Sequence, residues 1–192
     1  DYWEEAIDLP EQGGYGVFVD LSKGTVIDSW GFTDSLVSIE SVSASQYNDE
    51  MIGDELRNWL GGQAGDDVMN GMGGDDMLEG HDGNDTMFGG IGNDTLIGGT
   101  GDDTLRGDEG IDTAKFAGAR SEYKVSIGQL SKTTNTSGTG GITSTPTTTP
   151  TTVTPPVTTL QHTLEGNDSL STIERLEFAD VKLAIDLDGN AG

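Results

Sequence analysis

The chain has no cysteine among its 192 residues, so neither a disulfide nor a thiolate metal site can hold it together. Positive charge is almost as scarce. Nine Lys and Arg stand against 34 Asp and Glu, a formal charge of −25, which argues against nucleic acid and anionic membrane surfaces as partners. No apolar run is long enough to span a bilayer, so no transmembrane segment is expected. The only histidines, His81 and His162, lack H-E-x-x-H spacing, and His81 reads as an exposed turn residue. There is no G-x-S-x-G elbow either. No catalytic constellation is expected in these residues.

Glycine, by contrast, is plentiful at 30 residues, and from 62 to 115 it recurs with aspartate in a nine-residue phase. The fourth of six units reads Gly89-Gly-Ile-Gly-Asn-Asp-Thr-Leu-Ile. The first column is glycine throughout (Gly62, Gly71, Gly80, Gly89, Gly98, Gly107), and so is the fourth (Gly65, Gly74, Gly83, Gly92, Gly101, Gly110). The sixth is always aspartate: Asp67, Asp76, Asp85, Asp94, Asp103, Asp112. The eighth is apolar: Met69, Leu78, Met87, Leu96, Leu105, Ala114. A disordered Gly/Asp linker would have no reason to keep this phase. The glycines suit a continuous turn, and the residues around the eighth column suit a three-residue strand with one inward side chain. Such strands persist only by pairing above and below, about 4.8 Å apart. Two units would then make one coil, stacking the sixth-column aspartates of units n and n+2.

This G-G-x-G-x-D-x-U-x pattern resembles the RTX (repeats-in-toxin) family of secreted bacterial calcium-binding proteins. The resemblance implies an all-β fold, a right-handed parallel β-roll with β-strand caps at both ends. It implies calcium as the cofactor, held by the sixth-column aspartates and by carbonyls of the first- and fourth-column glycines. Distances agree, since calcium takes oxygens at roughly 2.3–2.6 Å and two carboxylates about 4.8 Å apart can share one ion. The pairs Asp67/Asp85, Asp76/Asp94, Asp85/Asp103 and Asp94/Asp112 give about four full sites. On this count Asp85 serves two sites and Asp112, last in its row, only one. Upstream, Asp49 and Asn58 keep the register without the full glycine pattern and are expected to form weaker or empty sites. Bare carboxylates at this spacing repel by about 1 kcal/mol per pair even in water. External calcium would therefore be needed for folding, and the cytosol would not supply it. The resemblance also implies export by a type I secretion apparatus and a secreted or cell-surface location. A cysteine-free chain suits transit in the unfolded state.

Residues 1–43 are expected to form an N-terminal β cap with degenerate coils, from strands at 16–21 and 25–28. Tyr2, Trp3, Tyr15 and Trp30 there could alternatively form a sugar-binding platform. Residues 44–61 read as degenerate coils and 62–115 as the regular roll. Residues 116–130 and 160–185 read as the C-terminal cap, around a Thr/Pro-rich insertion at 131–159 expected to be mobile. The cap segment Asp168-Ser-Leu-Ser-Thr-Ile-Glu-Arg-Leu176 echoes Asp34-Ser-Leu-Val-Ser-Ile-Glu-Ser-Val42. Asp186-Leu-Asp188-Gly-Asn190 opens like an EF-hand loop without completing one, and 186–192 reads as a junction. The chain is expected to be a monomeric fragment of a larger protein. Two alternatives stay open. One is a calcium-dependent ligand- or polysaccharide-binding module, with a surface glycan gripped by Trp59, Phe88, Arg57 and Arg106. The other is the accessory C-terminal domain of a secreted protease, lipase or epimerase.

Overall fold

The structure is a computed structural model that describes residues 6–8, 15–127, 158–162 and 166–184. Four strands precede the repeats: β1 (Ala6–Asp8), β2 (Phe18–Asp20), β3 (Thr25–Ile27) and β4 (Thr33–Ser35). The repeats themselves supply β5 (Ser41–Ser43), β6 (Glu50–Ile52), β7 (Trp59–Ala64), β8 (Val68–Asn70), β9 (Met77–Asp82), β10 (Thr86–Ile91), β11 (Thr95–Thr100), β12 (Thr104–Glu109) and β13 (Thr113–Lys115). Successive strands alternate between two sheets, odd from β5 to β13 in one and even from β6 to β12 in the other. Each pairs in parallel with the strand one coil away, 18 residues on, as Leu60 does with Leu78 and Met87 with Leu105. Two units make one coil, a parallel β-solenoid of the expected kind.

The eighth column is the core. Leu60, Leu78 and Leu96 under one sheet, and Met69, Met87 and Leu105 under the other, are wholly buried, and the degenerate units add Val42 and Met51. One inward side chain per strand makes a thin core, each contributing about 1.5–3 kcal/mol. The strands β7 and β9 to β12 are longer than the three residues expected, each running to six. The second and third columns keep pairing as the chain turns, as in Gly99 with His81 and Ile91 with Glu109. That path needs left-handed backbone at the second column, even without glycine: Gln63, Met72, His81 and Asp108 have φ of 80°, 72°, 77° and 73°. His81 is exposed, as expected, but it lies within β9 and not in a turn.

At the N-terminal end β2 joins β6 in parallel, so Val19 enters the buried column beside Met51. β3 and β4 then fold back antiparallel, while β1 pairs with β5. Val17, Leu21 and Val26 close this end of the core, whereas Tyr15 and Trp30 are 74% and 57% exposed. Tyr2 and Trp3 lie outside the described residues.

After β13 come a 3₁₀ turn (Arg120–Glu122) and β14 (Lys124–Ile127), β15 (Thr158–His162), β16 (Gly166–Ser171), β17 (Arg175–Glu177) and β18 (Lys182–Ala184). β16 and β17 are more than a cap. They pair in parallel with β12 and β13, placing Leu170 on Leu105 and Leu176 on Ala114, and so extend the solenoid. The antiparallel strands β15, β14 and β18 lie outside them. Phe116, Tyr123 and Phe178 pack with ring centroids 5.0–5.3 Å apart. The echoed segments each turn through a left-handed residue, Ser38 and Thr172 (φ 55° and 50°), before a buried Val42 or Leu176. The last two residues of the 131–159 stretch belong to β15; residues 131–157 and 186–192 lie outside the described residues. Among the described residues no helix is long and apolar enough to cross a membrane.

Gly83 has φ +141°, and an added Cβ would stand 1.9 Å from the Gly65 carbonyl oxygen. Gly83→Ala should therefore destabilise the roll by at least about 1–3 kcal/mol from backbone strain alone. His81→Ala, which exchanges one exposed left-handed residue for another, should change stability by less than about 0.5 kcal/mol. Thermal unfolding followed by circular dichroism in one common buffer checks the contrast; equal midpoints would contradict it.

Candidate metal centre

The sixth column begins as a hydrogen-bond ladder. The N–H of Asp67 donates to Asp85 Oδ1 at 2.9 Å, and Asp85 donates in turn to Asp103 Oδ1 at 2.9 Å. On the opposite edge Asp76 donates to Asp94 at 2.8 Å, and Asp94 to Asp112 at 2.9 Å. Asp49 and Asn58 sit at the foot of the two rows, donating to Asp67 and Asp76 at 2.8 Å each. One oxygen of each carboxylate is thereby satisfied. The other is not: Oδ2 of Asp67, Asp76, Asp85, Asp94 and Asp112 is buried and accepts no hydrogen bond. A buried anionic oxygen without a donor is costly unless a cation faces it.

What Oδ2 faces is the first-column glycine of its own unit and the first-column carbonyl one coil on. A Cβ built on Gly80 would fall 2.0 Å from Asp85 Oδ2 and 2.5 Å from the Gly98 carbonyl oxygen. On Gly71 the distances are 2.4 Å to Asp76 Oδ2 and 2.5 Å to Gly89 O; on Gly89, 2.4 Å to Asp94 Oδ2 and 2.7 Å to Gly107 O. Gly62 stands likewise to Asp67 Oδ2 and Gly80 O, and Gly98 stands against Asp103 Oδ2. Each cradle therefore pairs a carboxylate oxygen with a backbone carbonyl oxygen. Carbonyls of the fourth column, from Gly65, Gly74, Gly83 and Gly92, face instead the fourth-column glycine of the next coil, up to Gly101 and Gly110. Among the described residues no three carboxylate or imidazole side chains converge on one point. An all-oxygen set that mixes one carboxylate with carbonyls suits a hard cation such as calcium, and not zinc or copper.

The electrostatics agree. Burial pushes the Asp67 carboxyl up to about 8, and the nearby Asp49, Asp85 and Asp66 charges add to the rise. Burial likewise lifts Asp76 and Asp112 to about 7 and Asp85 to about 6, and raises Asp94. In each case the ladder N–H pulls the other way without winning.

The two weaker candidates differ from the rest in a way the sequence reading did not anticipate. Asp49 receives Val17 N–H on Oδ1 at 2.6 Å, and Ser45 N–H on Oδ2 at 2.7 Å. Asn58 Oδ1 sits in the cradle of Gly53 but already accepts Asp54 N–H at 2.8 Å. At both rungs the protein itself supplies the donor. Two further acids join the ladders unforeseen: Asp103 N–H donates to Asp168 Oδ1 at 3.2 Å, and Asp112 N–H to Glu174 Oε2 at 2.8 Å. The signal for Asp168 was present, since Gly166-Asn-Asp-Ser-Leu170 repeats Gly92-Asn-Asp-Thr-Leu96.

The fifth column forms a second, exposed ladder that runs the other way. Asp66 N–H donates to Asn48 Oδ1, Asn84 to Asp66, Asp102 to Asn84 and Asn167 to Asp102, at 2.8–3.0 Å. The candidate ligand-gripping residues are not gathered into one groove. Phe88 and Arg106 are neighbours on the sheet of the even strands, while Trp59 lies on the other sheet with its Nε1 on Glu79. Arg106 pairs with Asp108, and Arg57 with Asp75 at 3.5 Å.

A family model of the RTX calcium-binding nonapeptide repeat (four copies) matches residues 43–78, 52–87 and 79–114. No curated protein matches the chain. The matched span carries every regular cradle and the two degenerate rungs, so it unites the sequence pattern with the buried oxygens it creates. Residues 43–114 carry RTX calcium-binding nonapeptide repeats and fold as a parallel β-solenoid, a calcium-binding β-roll module within the chain.

Proposed function

We propose that the chain stays unfolded where calcium is scarce and folds on meeting external calcium, favouring export by a type I secretion apparatus. Once folded it would stiffen a secreted or cell-surface bacterial protein. The observation behind this reading is the row of buried Oδ2 atoms without donors. Each added repeat unit places another such oxygen beside its neighbours' charge, while the thin core gains one side chain. Bound calcium supplies the countercharge and the missing oxygen partner in the cradles. At calcium ten-fold above its dissociation constant each site adds about 1.4 kcal/mol, so a few sites decide whether the roll forms. Catalysis is assigned to none of these residues.

A second reading has one observation in its favour. Tyr15 and Trp30 are exposed and line one pocket near the N-terminal end, with Phe32 exposed two residues on from Trp30, which suits an aromatic platform for a neutral saccharide. A glycan-binding screen with and without calcium, repeated on Trp30→Ala, tests it. No binding in either condition rejects it.

Far-UV circular dichroism during calcium titration tests the main reading. The unaltered chain should gain β signal cooperatively with calcium and poorly with magnesium, which demands tighter octahedral geometry. Full β signal in excess chelator at neutral pH would overturn it.

Protons should compete with calcium. The folded carboxyls lie above the ordinary value of 3.8, so the calcium-free roll holds protons that the unfolded chain has released. The stability these ladder carboxyls contribute is fully present below about pH 4 and is lost as pH rises through the values of about 6 to 8. In chelator, acidification from about pH 8 to about pH 5 should increase β signal. Apparent calcium affinity should rise with pH across the same window, measured by titration at several pH values.

A further inference from the structure

We infer that a further calcium position lies beyond the repeats, between Asp112 and the short turn Thr172-Ile-Glu174, built from two stretches 62 positions apart. The inference rests on the calcium-roll reading above and extends it to residues outside the matched repeats.

The cradle at Gly107 has the form of the regular ones. An added Cβ there would stand 2.3 Å from Asp112 Oδ2 and 2.4 Å from the carbonyl oxygen of Thr172, which replaces a first-column glycine carbonyl. Asp112 is wholly buried and its Oδ2 accepts no hydrogen bond. The rung above is also in place, because Asp112 N–H donates to Glu174 Oε2 at 2.8 Å. The turn that presents Glu174 is three residues shorter than a repeat turn. Ser171 pairs with Arg106 in the ninth column and Arg175 with Thr113 in the seventh, leaving three residues where a repeat has six. Glutamate's extra methylene makes up the reach that the short turn loses. Thr172 is pinned by its own hydroxyl, which accepts Asp108 N–H at 2.8 Å and donates to the Ser171 carbonyl at 2.7 Å. Its carbonyl is therefore held facing the Asp112 carboxylate.

Asp112 then serves two positions, as Asp85 does, and is not the end of its row. The consequence is a clasp: a hard divalent cation at Asp112 ties the chain after residue 165 to the last regular coil.

Equilibrium dialysis of the full 192-residue chain with calcium tests this, using the unaltered protein and the variants Asp85→Asn, Glu174→Gln and Glu174→Lys. Glu174→Gln keeps the size and the acceptor for Asp112 N–H, and should weaken one bound ion by about ten-fold, the lower end of what losing a supporting partner of a metal ligand costs. Glu174→Lys sets a cation of its own at the position and should lower the number of ions bound by one. Circular dichroism in excess calcium should show the folded spectrum for both. Unchanged ion number and affinity in both Glu174 variants, with ions lost from Asp85→Asn, would overturn this inference alone. An unaltered chain that binds no calcium would overturn the calcium-roll reading with it.

Discussion

A carboxylate oxygen shut away from water and from every protein donor is the condition around which this molecule is arranged. Each coil brings one such oxygen to each edge, with the other oxygen of the same group already committed to the backbone of the neighbouring coil. The two glycine columns answer different needs. At Gly62, Gly71, Gly80 and Gly89 the missing side chain leaves room, because a Cβ would occupy the space that Oδ2 and the next carbonyl enclose. At Gly83 and Gly110 the backbone is left-handed and also pressed against the carbonyl one coil away. A single repeat unit thus contains both a cavity for an ion and the tight turn that shapes it.

In the function proposed above, the apolar interior does not hold this arrangement alone. In the regular repeats its side chains form two files, Leu60, Leu78 and Leu96 opposite Met69, Met87 and Leu105, one for each strand. At an effective dielectric near 20, unit charges about 4 Å apart interact by about 4 kcal/mol, which exceeds what one buried leucine contributes. In the same proposed function, calcium between the rungs would convert that repulsion into attraction and would belong to the interior as much as the leucines do.

The nine-residue phase made the coil size, the stacking of the aspartates and the buried column legible before any coordinates. Strict spacing maps directly onto a parallel ladder 18 residues in period. Legibility failed where spacing did. Asp168 carries the same local pattern as Asp94, yet it follows a break of some fifty residues and so was assigned to a cap. Glu174 lacks even the pattern, since a turn three residues short and a longer acid hide its place in the row. The role of Ser45, whose N–H satisfies Asp49 Oδ2, depends on a contact that composition does not encode. The strand at 16–21 was legible as part of the N-terminal cap, but not that Val17 and Val19 would be its buried residues while Tyr15 and Trp30 stay exposed.

The exposed fifth column carries information that the buried column lacks. Along one edge it runs Asn48, Asp66, Asn84, Asp102, Asn167, amide and acid in alternation, each hydrogen-bonded to the next. Every buried rung between them is the same aspartate, so a coil that skipped a neighbour and docked on the one after would find an identical partner inside. Outside, it would set Asp66 against Asp102 and lose the amide donor that Asn84 offers. Misalignment by a whole coil is thus penalised at the surface, where no metal is required, and a monotonous ladder acquires a means of counting its own steps.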